Sequence, residues 1–309
     1  MEVNSIRAKT IASGVFCIFV TLALISTLLP LASNRMIVKA QTNLANITVG
    51  VYTGAGADDD CATALQSLLA WMGPTVVEVT EASIEISILD TLDLLAFPGG
   101  SPDVYAAMLA SEGVQRVQQF VANGGAYFGI CGGGMFATRT LGLCEGVWVY
   151  PIPGISADIH LEDLAVNQES TGPDLSAEPA TYQVLYWGSH YFVPTNPEDI
   201  IPIMSYPEND GIALCVARYS YGTVFICGPH PEFEEGSTRD GTSLFDELND
   251  PDSEWGLLRR VTQWLIDEAS EPMPFNPFTG MEGILIVVGV ITVIVVVGIV
   301  VFMVRKRNR

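Results

Sequence analysis

The stretch GGAYFGICGGGMFAT, residues 124–138, sets one cysteine, Cys131, between a short apolar run and three consecutive glycines. Residues 126–130 read as a buried strand and those after the glycines as a helix. Glycines at a helix start cost backbone entropy, so their presence asks for a reason. The pattern G-x-C-x-G, with Gly129, Cys131 and Gly133, supplies one: it is the cysteine form of a nucleophile elbow. Glycines allow a sharp turn and a close substrate, and a helix N-terminus behind a thiol favours the thiolate. The N–H of Gly132 is then aimed at a developing oxyanion.

Outward from that stretch, strand and helix signals alternate. Apolar strands are expected at 46–52, 76–79, 92–97 and 126–130. Helical spacing lies between them at 61–72, with Asp58, Asp59 or Asp60 as its cap, and at 105–109 and 114–121. Strands that are apolar on both faces and separated by helices imply an α/β fold. The expectation is a doubly wound, mostly parallel sheet with helices on both faces. Ligands of such sheets bind at the carboxyl ends of the strands, where Cys131 falls. Residues 147–228 change character, being rich in Tyr, Trp, Val and Ile, and 212–218 with 223–227 read as a hairpin around 219–222. An amphipathic helix at 254–269 closes the domain.

A nucleophilic thiol needs a base, and the base an orienting group. The chain has three histidines, and only His230 follows an apolar strand directly, in CGPHPEF. Glu232 stands two residues on, behind Pro231, a short and stiff spacing for a carboxylate that holds an imidazole. His160 and His190 have no such setting and read as structural. FPGG, 97–100, offers Gly100 as a second oxyanion donor at another strand end. The three acids 58–60 lack the alternating spacing of a calcium loop, and the chemistry needs no metal and no cofactor.

These motifs carry a resemblance. AFPGG, GGAYFGICGGG and GPHPE, in this order, resemble the class I glutamine amidotransferase-like superfamily. VYTGAGADDD, FPGGSPDVY, YWGSHYFVP and VFICGPHPEFE look like the N-terminal domain of eukaryotic biotin-protein ligases, over about 47–270. The resemblance implies an α/β sandwich with a Cys–His–Glu triad, here Cys131, His230 and Glu232. The chain departs from the family beyond the matched region, where it carries a membrane-span pattern and neither a ligase nor a synthase pattern.

The two ends account for a mean hydropathy of +0.35. Residues 284–304 are 21 uncharged, mostly Ile and Val residues, the length of a transmembrane helix, and the basic tail 305–309 after them is expected in the cytoplasm. Residues 1–40 read as a signal peptide or signal anchor, with Val38 and Ala40 at a candidate cleavage site. Residues 271–283 form a Pro-rich stalk. The domain at 46–270 is thus expected outside the cytoplasm at the cell membrane. From Asn46 to Glu271 six arginines face 33 acidic residues, a net charge near −27 that argues against a nucleic-acid partner. In an oxidising exterior, Cys215 is expected to pair with Cys227 across the hairpin, leaving Cys61 and Cys144 as a second pair. The leading expectation is a membrane-anchored hydrolase or amidotransferase that attacks a carboxamide or acyl group of a small molecule or peptide. The rival is a catalytically silent binding module of the same fold.

Overall fold

The computed structural model describes residues 41–269 except 157, 235 and 251. The signal or anchor segment, the stalk, the 284–304 span and the basic tail lie outside the described residues. Among those described, no helix is long and apolar enough to cross a membrane.

The chain runs β1 (Thr48–Tyr52), α1 (Asp59–Met72), β2 (Thr75–Val79), α2 (Glu81–Glu85), β3 (Leu94–Phe97), α3 (Pro102–Ala122), β4 (Ala126–Ile130) and α4 (Gly132–Arg139). It continues through β5 (Val147–Tyr150), β6 (His160–Val166), β7 (Thr181–Tyr186), β8 (Tyr191–Pro194), β9 (Ile201–Tyr206), β10 (Gly211–Tyr219) and β11 (Gly222–Cys227) to α5 (Trp255–Glu268). The side chain of Asp58 caps α1 by accepting from the N–H groups of Asp60 and Cys61. Ser101 caps α3, and Pro102 at its first position suits a helix start. The two helical stretches expected at 105–109 and 114–121 are one element with a break at Ala110 (φ 50°, ψ −172°).

The strands form one sheet in the order β2-β1-β3-β4-β11-β10-β9-β6-β7, with β8 pairing β10 and β5 pairing β8 off that path. The five strands from β2 to β11 are mutually parallel. From β11 onward every pairing is antiparallel. The expectation of a mostly parallel sheet is therefore corrected: the sheet is mixed. The reason is in the connections, since the second half of the chain has hairpins and loops where a parallel pairing needs a crossover helix.

Within the parallel half, alternate residues enter opposite cores. Leu94 and Ala96 of β3 join the layer that holds Leu65 and Leu68 of α1 and Leu258 and Val261 of α5. Leu95 and Phe97 join the opposite layer, with Tyr105 and Val117 of α3 and Phe136 of α4. Helices thus cover both faces, as β3 and β4, apolar at every position, require.

The hairpin register overturns the expected disulfides. Tyr219 pairs with Gly222, so Cys215 opposes Ile226 and Cys227 opposes Leu214. A slip of one residue turns the two sulfurs to opposite faces: Cys215 lies in one core layer and Cys227 in the other. Cys61 packs with Phe233 and Phe245, whereas Cys144 shares a core with Cys215. All five cysteines of the described domain are free.

Candidate active site

β3, β4 and β11 are consecutive and parallel, so their carboxyl ends share one edge of the sheet. Three sequence motifs meet there: Pro98–Gly100 after β3, Cys131 after β4, and Gly228–Glu232 after β11. The register sets Phe97 beside Gly129 and Cys227 beside Ile130.

Cys131 adopts φ 48° and ψ −107° between strand and helix. That conformation is strained for a residue with a Cβ and persists only where the surroundings enforce it. Here they do. The Cys131 N–H donates to the carbonyl of Cys227 at 2.7 Å, and the Gly133 N–H to that of Pro98 at 3.1 Å. The Tyr127 hydroxyl donates to the Gly133 carbonyl at 2.8 Å. A Cβ on Gly133 would overlap the carbonyl oxygen of Phe97, and one on Gly132 the backbone of Gly100. The glycines therefore admit the turn against its neighbours. Of the five cysteines, Cys131 alone is partly exposed.

His230 is 2% exposed and Glu232 fully buried. Nδ1 of His230 lies 2.9 Å from Oε1 of Glu232. Burial by itself would lower the imidazole pKa. The Glu232 carboxylate, then Cys131 and Cys61, and a hydrogen bond with Cys131 outweigh it and lift the group well above its usual range. The backbone N–H of His230 donates to the carbonyl of Leu185 at 2.9 Å, and the Trp255 indole N–H to that of Glu232 at 3.1 Å. The Trp187 ring packs on the imidazole with centroids 5.3 Å apart.

The FPGG loop is held by the Tyr105 hydroxyl, 3.1 Å from the carbonyls of both Pro98 and Gly99. A Cβ on Gly99 would stand 2.7 Å from Sγ of Cys61 and 2.8 Å from Cε1 of His230, so glycine lets the loop lie on the site. Asp58 N–H to Gly99 and Ser101 N–H to Gly56 form the bridge between Ala57 and Gly100, which leaves the Gly100 N–H out of it. Gly100 and Gly132 meet backbone to backbone.

The sequence set Cys61 in an expected pair with Cys144 and missed its place beside His230. Its Sγ lies 3.9 Å from Nδ1 of His230. Burial pushes its thiol pKa up to about 12, against the lowering effect of His230. Only the parallel pairing of β1 with β3 brings α1 to this edge, so no local signal marked it. His160 lies apart, Nε2 2.8 Å from Oε2 of Glu162 and its ring stacked on Tyr186. His190 is buried with both ring nitrogens unpartnered within the described protein. Burial, then His230 and Arg139, lower its pKa to about 3.

Residues 47–149 match the family described as biotin-protein ligase, N terminal. A biotin–protein ligase of Schizosaccharomyces pombe is 27% identical over 221 residues, 62% of this chain and 34% of that protein. An uncharacterized protein of Chlamydia muridarum is 29% identical over 171 residues, 47% of this chain and 62% of that one. The chain spans less than two thirds of either relative's length. Among solved structures, PurLQS of Thermotoga maritima aligns at a TM-score of 0.51 and 18% identity, over 72% of this chain and 99% of that one. A glutamine amidotransferase of the same organism aligns at 0.50 and 13% identity, over 71% and 98%. The resemblance carried by the motifs holds: this chain resembles the biotin-protein ligase N-terminal domain and has a glutamine amidotransferase-like fold.

Proposed function

We propose, from a biotin-protein ligase N-terminal-like chain with a glutamine amidotransferase-like fold, that the protein is a membrane-anchored, extracytoplasmic Cys–His–Glu hydrolase or amidotransferase. The observation that carries the reading is the strained turn at Cys131, beside an imidazole paired to a buried carboxylate. Such strain has no use in a buried structural thiol and exposes a sulfur to a substrate. Oε1 of Glu232 accepts a hydrogen bond from Nδ1–H of His230, which leaves Nε2 for Cys131. The Cys131 proton rests on Nε2 of His230, and Sγ attacks the carbonyl carbon of a carboxamide as the thiolate. The oxyanion rests on the N–H groups of Gly100 and Gly132. His230 returns the proton to the departing amine, leaving a thioester. Water then attacks the thioester, His230 takes its proton, and the acid leaves as the thiol re-forms. The substrate class is a small carboxamide or a peptide; an acidic domain with six arginines favours no nucleic acid.

The test is alkylation and turnover in the full chain. Iodoacetamide or a chloroketone labels Cys131 ahead of Cys61, Cys144, Cys215 and Cys227. His230→Ala slows that labelling by about tenfold or more. Amine release from a carboxamide panel is abolished in Cys131→Ala. Selective labelling without any turnover supports the binding module instead. Equal labelling of folded and denatured protein sinks both the nucleophile and the hydrolase.

A further inference from the structure

We propose that Cys61, His230 and Glu232 form a site for a thiophilic divalent cation of the zinc type, and that filling it switches the Cys131 centre off. The three side chains present one sulfur, one nitrogen and one carboxylate oxygen, all buried and all within 4.8 Å of one another. Sγ of Cys61 is 3.9 Å from Nδ1 of His230, and Nδ1 is 2.9 Å from Oε1 of Glu232. Tetrahedral zinc holds such ligands at about 2.0–2.3 Å, which spaces the ligand atoms by about 3.5 Å. The two observed separations lie on either side of that value, so small side-chain shifts bring all three atoms to one ion.

A second observation points the same way. Oε2 of Glu232 is buried and has no hydrogen-bond partner within the described protein. An unpaired oxygen of a buried carboxylate is costly, and a cation relieves that cost. The donor set selects the ion: sulfur with imidazole suits zinc, whereas calcium and magnesium take oxygen ligands.

The switch arises at the imidazole. A neutral ring carries one N–H and one lone pair. In the hydrolytic state Nδ1 bears the proton, shared with Glu232, and the Nε2 lone pair serves Cys131. The ring proton moves from Nδ1 to Nε2, the cation binds the lone pair so freed on Nδ1, and the Cys61 thiol proton is displaced to solvent. Nε2 is then a donor and cannot accept the proton of Cys131. The metal site stands on its own geometry; only the switch rests on the hydrolase reading.

The experiment uses the full-length chain in detergent micelles, titrated with cobalt(II) and then with zinc. Cobalt is expected to give a thiolate-to-cobalt charge-transfer band in the near ultraviolet, retained in Cys131→Ser and lost in Cys61→Ser. Zinc affinity falls more than about tenfold in Glu232→Gln, which also serves should Cys61→Ser fail to fold. Absence of the band, or a band that disappears with Cys131 and persists without Cys61, overturns the site. For the switch, zinc slows iodoacetamide labelling of Cys131 and a chelator restores it. Labelling at the metal-free rate while the band is present overturns the switch alone. If Cys131 has no selective reactivity even without metal, the hydrolase reading fails and the band still decides the site.

Discussion

At Cys131 the backbone and the chemistry make the same demand. A φ of 48° in a residue with a side chain is tolerated because three hydrogen bonds and the neighbouring carbonyls fix the turn. His190 makes the opposite case, an imidazole kept neutral. Its folded pKa is about 3, set first by burial and then by His230 and Arg139, whereas an unfolded histidine titrates near ~6.5. Between those values the unfolded chain binds the extra proton, so this residue's contribution is present above pH ~6.5 and is lost as pH falls toward ~3, by roughly 1.4 kcal/mol per pH unit. His230 does not confuse the window. Its raised pKa gives a contribution that is complete below the unfolded value and is lost only as pH rises through the folded one. His190→Leu is expected to lose less stability than the wild type between pH 7 and pH 5, read from urea midpoints. Equal losses would show that His190 is not held neutral.

At the scale of elements, α3 and the β10–β11 hairpin carry checkable claims. Ala110 sits inside α3 at φ 50° and ψ −172°, a region that only glycine visits at low cost. Ala110→Gly is therefore expected to stabilise the domain by about 1 kcal/mol. For a domain of this size that raises Tm by roughly 2–4 °C. A continuous helix would instead lose about 1 kcal/mol on the same change. In the hairpin, a two-residue turn at Ser220 and Tyr221, with Ser220 at φ 55°, sets Tyr219 against Gly222. Non-reducing peptide mapping should recover Cys215 and Cys227 as free thiols even from protein folded in an oxidising compartment. A Cys215–Cys227 peptide pair would mean that the strands are paired one residue out of this register.

For the molecule as a whole, the charge pattern and the ends make the claim. Six arginines against 33 acids are a charge suited to solubility beside a membrane, and on the proposed reading the uncharged 284–304 run with basic residues behind it would orient the chain. Protease added to intact cells is expected to remove the domain at 46–270 and to spare the 305–309 tail. A protected domain would place it in the cytoplasm and end the extracytoplasmic reading, while leaving the geometry around Cys131 unchanged.

The sequence by itself determined the parts whose causes are local. Apolar runs bounded by turn residues mark β1, β3 and β4, and the acids 58–60 mark the start of α1, though only the structure chose Asp58 among them as the cap. The glycines round Cys131 and the Pro-locked His230–Glu232 spacing mark the candidate site, because both demands fall within a few residues. Tertiary structure alone decided what depends on which strands adjoin. The antiparallel half of the sheet, the residue-by-residue register of the hairpin and the arrival of Cys61 at His230 each join segments distant along the chain or differ by a single step of pairing. Side-chain direction in a strand reverses at every residue. An error of one position, invisible in composition and periodicity, was therefore enough to turn an expected disulfide into two thiols in opposite cores.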